Sequence, residues 1–307
     1  MRCVCADCHS ALRLRDGAAC CVGCGKSFPI RQGVVTFTPQ SDFYEGKFAD
    51  TWGAGNRAWW WIKKRIVSRW RFLLQWLPEG DSLILDLGCG GGNALLTEKG
   101  GVVIGVDLSV SSLVRASSIC DEVYCATAKR LPFPNGMFDA VVSLDLLGHI
   151  PIPEKDGVIQ EVWRVLKPGG IAIHCIETVG RNPIQRFAQQ YPDLYRRYFM
   201  DADGHYGLEP PETAVERFRR QGFQPVCEQG DDVGAVRTLR EHLKRFDNEY
   251  QTKSVLMSWW VTLYRILGSS SASRYPTEGI LALVSAILRR RLDLRSADSL
   301  FVCYRKI

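Results

Sequence analysis

The most constraining feature of this sequence is a short apolar run that ends in an acid and turns at once through glycines. Residues 84–92 read ILDLGCGGG, and residues 102–107 form a second apolar run that ends in another acid, Asp107. A strand, a glycine turn, a helix and a second strand ending in an acid are the layout of a nucleotide-cofactor site at the carboxyl edge of a parallel sheet. Glycines permit backbone angles closed to other residues and let a ligand approach the main chain. The terminal acid can accept hydrogen bonds from both hydroxyls of a ribose.

The glycine turn departs from the dinucleotide-binding fingerprint. Gly88-x-Gly90 is followed by Asn93 where the third glycine of that fingerprint would stand. Asp86 lies inside the motif, where its charge would repel a pyrophosphate and attract a cation. The pattern therefore favours a positively charged cofactor.

Two further motifs follow the turn. Residues 131–142 read LPFPNGMFDAVV, and residues 165–170 read VLKPGG. With the glycine turn they resemble the class I S-adenosylmethionine (SAM) methyltransferases of the methyltransferase type 11 group, whose corresponding segments read LPFPDGSFDAV and VLKPGG. The resemblance spans about residues 81–180 and implies a SAM-dependent methyltransferase. A non-catalytic SAM-binding or scaffold protein is the alternative from another class.

Apolar runs and helical patterns alternate through this region, which predicts an α/β fold with a doubly wound, Rossmann-like parallel sheet. The family's sheet has seven strands, of which the last is antiparallel. The expected strands are 83–87, 102–107, 122–125, 138–144, 170–176, 223–228 and 298–306. The expected helices are 92–99, 109–118, 154–166, 181–200 and 211–222.

Six of the twelve cysteines fall within the first 24 residues. The pairs Cys5-x-x-Cys8 and Cys21-x-x-Cys24 have the spacing of a zinc ribbon, in which two turns each supply two thiolates to one structural Zn²⁺. Cys3 and Cys20 are spare, and either could replace one of the four. The following segment, SFPIRQGV at residues 27–34, resembles the YPIRDGIP that follows small zinc ribbons fused to, or partnered with, methyltransferases.

These patterns divide the chain into five parts. They are a zinc ribbon at 1–38, a helical lead-in at 39–80, a SAM-binding core at 81–232, a helical insert at 233–296 and the final core strand at 297–307. The remaining cysteines are scattered, the N-terminus lacks an apolar signal segment and no apolar stretch is long enough to span a bilayer. We therefore expect a cytoplasmic protein without a transmembrane segment.

The lead-in and the insert leave their roles open. Six of the nine tryptophans lie between residues 52 and 76, interleaved with arginines and lysines. Such a mixture can bind RNA, lie at a membrane interface, or belong to a helix packed on the sheet with a solvated basic face. The insert contains apolar helical runs, which either extend the core or form a roof that rests on lipid through residues 253–288.

The resemblance also assigns residues of the cofactor site. The turn around the amino-acid portion of SAM is Asp86, Gly88, Cys89 and Gly90; Asp107 holds the ribose and Leu108 lies beside the adenine; Ser143 and Leu144 line the methionine end. Where the family has an acid that contacts the adenine amino group, this chain has Thr127, followed by Ala128. A hydroxyl or backbone group would have to make that contact here.

His149, just after the fourth core strand, is the leading candidate for a base at the acceptor site, because imidazole titrates near neutrality. Its alternative role is structural, as a backbone hydrogen-bonding partner. Glu177, His205 and Tyr206 are further candidates.

The acceptor is expected to be a small or lipid-linked metabolite. The competing hypothesis is an rRNA or tRNA substrate docked through the ribbon and the basic lead-in, compatible with a net charge of +6 at pH 7. Signatures of nucleobase methylation, such as Asn-Pro-Pro-Tyr or a catalytic cysteine pair, are absent from the sequence, which argues against nucleobases.

Overall fold

The protein is an α/β structure organised around one large sheet. The computed structural model describes residues 1–39, 45, 68–231, 239–288 and 294–307. The strands are β1 Leu12–Arg15, β2 Ala18–Cys21, β3 Ser27–Arg31, β4 Val34–Thr36, β5 Leu83–Leu87, β6 Val102–Asp107, β7 Glu122–Cys125, β8 Phe138–Leu144, β9 Leu166–Glu177, β10 Gln224–Asp231 and β11 Ser299–Arg305.

The order of strands in the sheet is β1-β2-β3-β4-β7-β6-β5-β8-β9-β11-β10. The six strands β4, β7, β6, β5, β8 and β9 are parallel to one another, and β11 runs antiparallel between β9 and β10. The chain moves outward from β5 to β7 and then returns to the other side of β5 with β8. In open α/β sheets such a reversal leaves a ligand-binding crevice at the carboxyl ends of the strands.

The sheet is larger than the seven strands predicted. It has eleven, because the strands of the N-terminal ribbon continue it at one edge. Strand β4 pairs with β7 in parallel register, with Val35 opposite Tyr124. The ribbon is therefore built onto the core sheet.

Further contacts fix the ribbon to the core. The backbone N–H of Val4 donates to the carbonyl of Pro132 at 2.8 Å. Arg2 forms an ion pair with Glu122 at 2.7 Å, and Asp7 pairs with Arg130. The ribbon thus contacts both the edge strand and the loop after it.

Helices cover both faces of the sheet. They are α1 Ser68–Trp76, α2 Val110–Ala116, α3 Lys155–Val165, α4 Pro183–Gln189, α5 Pro192–Tyr195, α6 Pro211–Arg220, α7 Leu239–Phe246, α8 Val255–Gly268 and α9 Ser271–Leu288. Val162 of α3 and Phe218 of α6 belong to the apolar cluster on one side, and Trp70 of α1 and Leu113 of α2 to the cluster on the other. Because both faces are covered, the central strands consist of nearly continuous apolar residues.

Two predicted helices are wrong in form. The helix expected at 181–200 is broken into α4, α5 and a π-helical turn at Arg196–Asp201, because Pro192 cannot continue the helix before it. The helix expected at 92–99 is a single 3₁₀ turn, Ala94–Thr97. Glycines on both sides of that segment leave it too short for an α-helix.

The described part of the lead-in is a helix packed on the sheet. Trp70 on α1 is 1% exposed, and Phe72 contacts Phe301 of β11 with a ring separation of 5.6 Å. The tryptophans and basic residues at 52–67 lie outside the described residues. Of the three interpretations of the lead-in, a helix packed on the sheet therefore holds for α1, and RNA binding and membrane contact by residues 52–67 stay predictions.

The described residues of the insert, 239–288 and 294–296, are mainly helical. Its helices α7 and α8 and the turn at Glu249–Lys253 pack on the segment that follows α4, around the buried Tyr250, whose hydroxyl donates to the carbonyl of Ala188 at 3.0 Å. The far side of α8 is apolar and open to solvent. In the part of the chain that the structure describes, no helix is both long enough and apolar enough to cross a bilayer.

Candidate active site

The glycine turn after β5 folds back onto the end of β6. The backbone N–H groups of Gly88 and Cys89 both donate to the carbonyl of Val106, at 2.8 and 3.1 Å. The N–H of Gly90 donates to Oδ2 of Asp107 at 2.9 Å. The turn and the acid at the end of the second strand, which the sequence predicts to cooperate, therefore lie together.

Glycine is required in this turn for two reasons. Gly88 has a φ of +74°, which is unfavourable for residues with a side chain. A Cβ at that position would also approach Cδ1 of Leu146 to 3.0 Å. The close approach brings the loop after β8 against the turn, so both loops border the same crevice.

Asp86 is a buried acid whose charge is not balanced locally. It is 3% exposed, and its Oδ2 has no hydrogen-bond partner among the described residues. Burial, reinforced by the charge of Asp107, raises the pKa of Asp86 to about 7. Because a buried carboxylate is costly without a partner, this position is suited to a ligand that brings a positive charge.

Asp107 is held in place by backbone donors. Its Oδ1 accepts from the N–H of Ser109, and its Oδ2 accepts from Gly90, both at 2.9 Å. Burial raises the pKa of Asp107, although these hydrogen bonds act in the opposite direction. Each carboxylate oxygen has a second acceptor position, so the group can still receive two hydroxyl donors from a ligand.

Glu45 is a third carboxylate at this site, and sequence reasoning missed it. Its Oε1 accepts from the N–H of Val110 at 2.8 Å, and its Oε2 accepts from the N–H of Ser111 at 3.2 Å. These donors are the first backbone groups of α2, where a negative charge is favourable. Nothing in the local sequence around residue 45 distinguishes this acid from its neighbours, because the contact depends on the fold alone.

The residues predicted near the adenine lie at the ends of β6 and β7. The carbonyl of Leu108 accepts from Sγ of Cys125 at 3.6 Å. Thr127 lines a cavity of about 150 Å³ that it shares with Phe28 and Phe37 of the ribbon. Ala128, next to it, is buried. This side of the site is therefore bordered by the ribbon.

Ser143 and Leu144 end β8, but the hydroxyl of Ser143 is already engaged. Its Oγ lies 2.6 Å from Nδ1 of His174, the residue opposite it on β9. Burial lowers the pKa of His174 to about 3, so this histidine is neutral. Ser143 can border a ligand through its backbone, while its side chain serves the interior of the sheet.

Asp145, immediately after β8, has an unusual backbone and an ion pair. Its φ is +57°, a left-handed conformation, and its Oδ2 accepts from Arg69 of α1 at 2.7 Å. Neither residue was among the predicted site residues. The pair ties the lead-in helix to the loop that carries His149.

His149 lies beside Glu177 and His205, two of the three further predicted candidates. Its Nδ1 is 2.9 Å from the carbonyl of Gly204, and its Nε2 is 4.0 Å from Oε2 of Glu177. The His149 and His205 rings are 4.9 Å apart. The structure therefore brings together three candidates that are widely separated in the sequence.

His205 forms the shortest contact of this group. Its Nε2 is 2.7 Å from Oε1 of Glu177, and its Nδ1 is 2.9 Å from the carbonyl of Phe199. Burial alone would lower the pKa of His205, but the hydrogen bond and charge of Glu177 outweigh it and raise that pKa. The adjacent Tyr206 is exposed and lines a cavity of about 470 Å³ with Tyr195 and Arg196.

The N-terminal cysteines form a second cluster. The Sγ atoms of Cys5, Cys8, Cys21 and Cys24 all lie within 4.8 Å of one another. Among these atoms, Sγ of Cys8 lies 3.3 Å from that of Cys21, and Sγ of Cys5 lies 3.7 Å from that of Cys24. This is the set of four that the spacing predicts.

The two cysteine turns have matching geometry. His9 has a φ of +55° and donates its N–H to the carbonyl of Cys5 at 2.9 Å; Gly25 has a φ of +73° and donates to Cys21 at 3.2 Å. Each turn therefore closes with a left-handed residue directly after its second cysteine. Each presents two thiols to the same point.

Cys3 and Cys20 do not belong to the cluster. The Sγ of Cys20 is 3.5 Å from the hydroxyl of Ser27, and burial raises the pKa of Cys3 to about 11. Neither is among the cysteines whose Sγ atoms converge. The replacement of a ligand by one of them, left open by the sequence, is not what the structure favours.

Known methyltransferases match this chain in the region that contains the glycine turn and the two later motifs. Residues 85–174 match the methyltransferase domain family, Methyltransf_11. The ubiquinone biosynthesis O-methyltransferase of Pseudomonas entomophila is 34% identical over 126 residues, which cover 36% of this chain and 51% of that protein. The chain thus spans about half the length of the curated ubiquinone enzymes that it matches.

A solved structure supports the fold. Phosphoethanolamine N-methyltransferase 2 of Haemonchus contortus, in complex with SAM, matches with a TM-score of 0.50 at 22% identity, covering 92% of this chain and 62% of that chain. An identity this low shows a shared fold and no more.

A longer alignment settles the family. The probable methyltransferase ltbC of Aspergillus luteorubrus is 30% identical over 229 residues, which cover 64% of this chain and 78% of that protein. The alignment extends well beyond the motifs around the glycine turn. With the geometry of the turn and of Asp107, it shows that this chain belongs to the class I SAM-dependent methyltransferases.

Proposed function

We propose that this protein transfers the methyl group of SAM to a small or lipid-linked acceptor. The observation that carries the proposal is the buried Asp86, whose Oδ2 has no hydrogen-bond partner among the described residues and which lies within reach of the charge of Asp107 at the end of β6. SAM has a sulfonium and an α-ammonium group, so it supplies the positive charge that this carboxylate lacks.

The described residues fit the rest of SAM. Its amino-acid portion would contact the turn of Asp86, Gly88, Cys89 and Gly90, and its ribose hydroxyls would donate to Asp107. Leu108, Thr127 and Ala128 would border the adenine, and Ser143 and Leu144 the methionine end. The restrained carboxylate of Asp107, with backbone donors on both oxygens, supports the ribose assignment.

SAM supplies an electrophilic methyl group on a sulfonium, so the protein needs no covalent nucleophile. In-line transfer would join the acceptor atom to the methyl carbon as the carbon–sulfur bond breaks, with S-adenosylhomocysteine as the leaving group and any proton of the acceptor released to a base or to water. The protein contributes mainly by holding the reacting atoms in position. The loop after β8 lies against the glycine turn through Leu146, which supports the assignment of His149 to the acceptor side of the crevice.

The helix α8 favours an acceptor that resides in lipid. It exposes large apolar side chains at Val255, Leu256, Trp259, Leu263 and Ile266, with exposed fractions of 52–82%. Their spacing places them along one side of the helix. An amphipathic surface of this kind can rest on a membrane and give access to a lipid-linked substrate.

We also propose that Cys5, Cys8, Cys21 and Cys24 bind one structural Zn²⁺ as thiolates. The convergence of their Sγ atoms and the paired turns support this role.

An acceptor screen tests the proposal. The purified protein and isotopically labelled SAM would be incubated separately with total RNA, a lipid extract and a pool of small metabolites. Label in the lipid or metabolite pool is expected. Label in RNA alone would favour the RNA alternative, and SAM binding without turnover in any pool would favour a non-catalytic SAM-binding protein.

A further inference from the structure

His149, Glu177 and His205, here called the His–Glu–His cluster, have a chemistry that the proposed methyl transfer does not require. One ligand atom from each lies within 4.8 Å of the others. His149 follows β8, Glu177 ends β9, and His205 follows the π-helical turn. Three separate parts of the chain thus converge on one point beyond the carboxyl ends of β8 and β9.

The outer nitrogen of each histidine fixes its tautomer. Nδ1 of His149 faces the carbonyl of Gly204, and Nδ1 of His205 faces the carbonyl of Phe199, both at 2.9 Å. A carbonyl only accepts hydrogen bonds, so both Nδ1 atoms must carry hydrogen. In a neutral imidazole the lone pair then lies on Nε2. In both residues, Nε2 is the atom directed toward Glu177.

The lone pairs create a conflict that a cation would resolve. Nε2 of His205 is 2.7 Å from Oε1 of Glu177, and two acceptors do not approach so closely with nothing between them. A proton on His205 would satisfy that contact alone. Oε2 of Glu177 would still lack a hydrogen-bond partner among the described residues, with Nε2 of His149 4.0 Å away.

We propose that the His–Glu–His cluster binds a divalent transition-metal ion through Nε2 of both histidines and the Glu177 carboxylate. Histidine ligands that donate their other N–H to a backbone carbonyl are the usual arrangement at such sites. Two imidazoles and one carboxylate suit Zn²⁺, Mn²⁺, Fe²⁺ or Co²⁺ rather than Ca²⁺ or Mg²⁺.

The protein supplies three ligands, which leaves at least one coordination position open. The side chains of His149 and Glu177 are 13% and 19% exposed, so the cluster is reached from solvent. Tyr206, adjacent to His205, lines the cavity of about 470 Å³. An anionic or hydroxyl oxygen of the acceptor could occupy the open position. This role rests on the proposed function, whereas metal binding itself does not.

Cobalt titration of the full-length protein, with zinc bound at the cysteines and without SAM, tests the site. Calorimetry should give one Co²⁺ per chain, and the visible spectrum should show weak bands without the near-ultraviolet absorption of cobalt thiolates. Glu177→Gln and His205→Asn should each weaken Co²⁺ binding by at least about tenfold. The matched control is Glu216→Gln, the same change at an exposed carboxylate paired with Arg220.

Three results would overturn the inference: no Co²⁺ bound beyond the cysteines, a thiolate spectrum for all bound Co²⁺, or unchanged affinity in Glu177→Gln. S-adenosylhomocysteine binding, measured on the same samples, verifies that the variants are folded. If the wild-type protein binds S-adenosylhomocysteine but no Co²⁺, only the proposed metal site is contradicted. If the wild-type protein binds Co²⁺ but not S-adenosylhomocysteine, only the proposed methyltransferase function is contradicted.

Discussion

The charge of Asp107, at the end of one strand, contributes to raising the pKa of Asp86 on the neighbouring paired strand to about 7. Two acids buried this close together are unfavourable when both are ionised, and neither forms an ion pair with a described lysine or arginine. The site is therefore poised to receive positive charge.

We expect the affinity for SAM to increase as the pH rises toward 7. A cation binds to the ionised form of Asp86, and below its pKa that form falls by about tenfold per pH unit. Calorimetry between pH 5.5 and 8 should show weaker binding in acid and a plateau above about 7. Asp86→Asn should bind SAM weakly and with a shallower pH dependence. A flat profile for the wild-type protein would contradict the ionisation of Asp86 on binding.

The same acid should affect the stability of the ligand-free protein. Since the pKa of Asp86 is raised in the folded state from 3.8 to about 7, the stabilisation from its protonated form is complete below about pH 4 and is lost as the pH rises through 7. At pH 8, Asp86→Asn should therefore raise the free energy of unfolding by on the order of a few kcal/mol. Urea unfolding of both proteins at pH 5 and pH 8 measures the difference. If Asp86→Asn were less stable than the wild-type protein at pH 8, the raised pKa of Asp86 would be contradicted.

Asp107→Asn should weaken SAM binding by at least about tenfold. The aspartate has two charged oxygens that can accept hydrogen bonds from the ribose hydroxyls, whereas the asparagine amide has a single, neutral one. Asp121→Asn is a matched control, since Asp121 accepts a backbone hydrogen bond from Val103 at the amino end of the same strand. Calorimetric affinities of the two variants decide the assignment. Equal affinity in Asp107→Asn and the wild-type protein would remove Asp107 from the cofactor site.

Loss of one cysteine ligand should release zinc and destabilise the ribbon. Cys8→Ser is expected to lower the metal content by one Zn²⁺ per chain and to lower the melting temperature, because a segment of this size depends on metal for its folding. Cys20→Ser should do neither, since the Sγ of Cys20 faces Ser27. Mass spectrometry of bound metal and thermal unfolding make the comparison. Full zinc content in Cys8→Ser would exclude Cys8 as a ligand.

The exposed apolar side of α8 should bind lipid. Replacing Leu256 and Trp259 together by serine should reduce sedimentation with vesicles of phosphatidylcholine and phosphatidylglycerol by about tenfold or more, because each buried apolar side chain contributes roughly 1.5–3 kcal/mol. Val114→Ser, at an exposed apolar position on α2, is the control. No vesicle binding by the wild-type protein would contradict a membrane role for α8.

The core strands could be predicted because each one depends on a run of apolar residues that is visible in its own short segment of sequence. Strands β5, β6, β7 and β8 have the predicted bounds, since a parallel sheet covered on both faces needs continuous apolar runs. The glycines and Asp107 were predictable for a related reason: the turn after β5 needs left-handed residues, and an acid ending the next strand must face it.

Contacts between distant segments were not predictable. Glu45 reaches the first turn of α2 from a segment without a distinguishing pattern. The sequence named His149, Glu177 and His205 individually, but only the fold shows that they meet. The pairing of β4 with β7, which joins the four N-terminal strands to the seven predicted core strands, could not be predicted for the same reason.

The pairing of β4 with β7 has a practical consequence. The ribbon occupies the backbone hydrogen-bonding edge of β7, where the N–H of Phe37 also reaches the carbonyl of Cys125 at 2.8 Å. A chain shortened to begin after residue 38 would expose that edge, and bare edges recruit other chains into aggregates. Aggregation of the truncated chain would obscure any effect on substrate recognition. The contribution of the N-terminus to recognition is therefore better measured by substitutions on its outer surface.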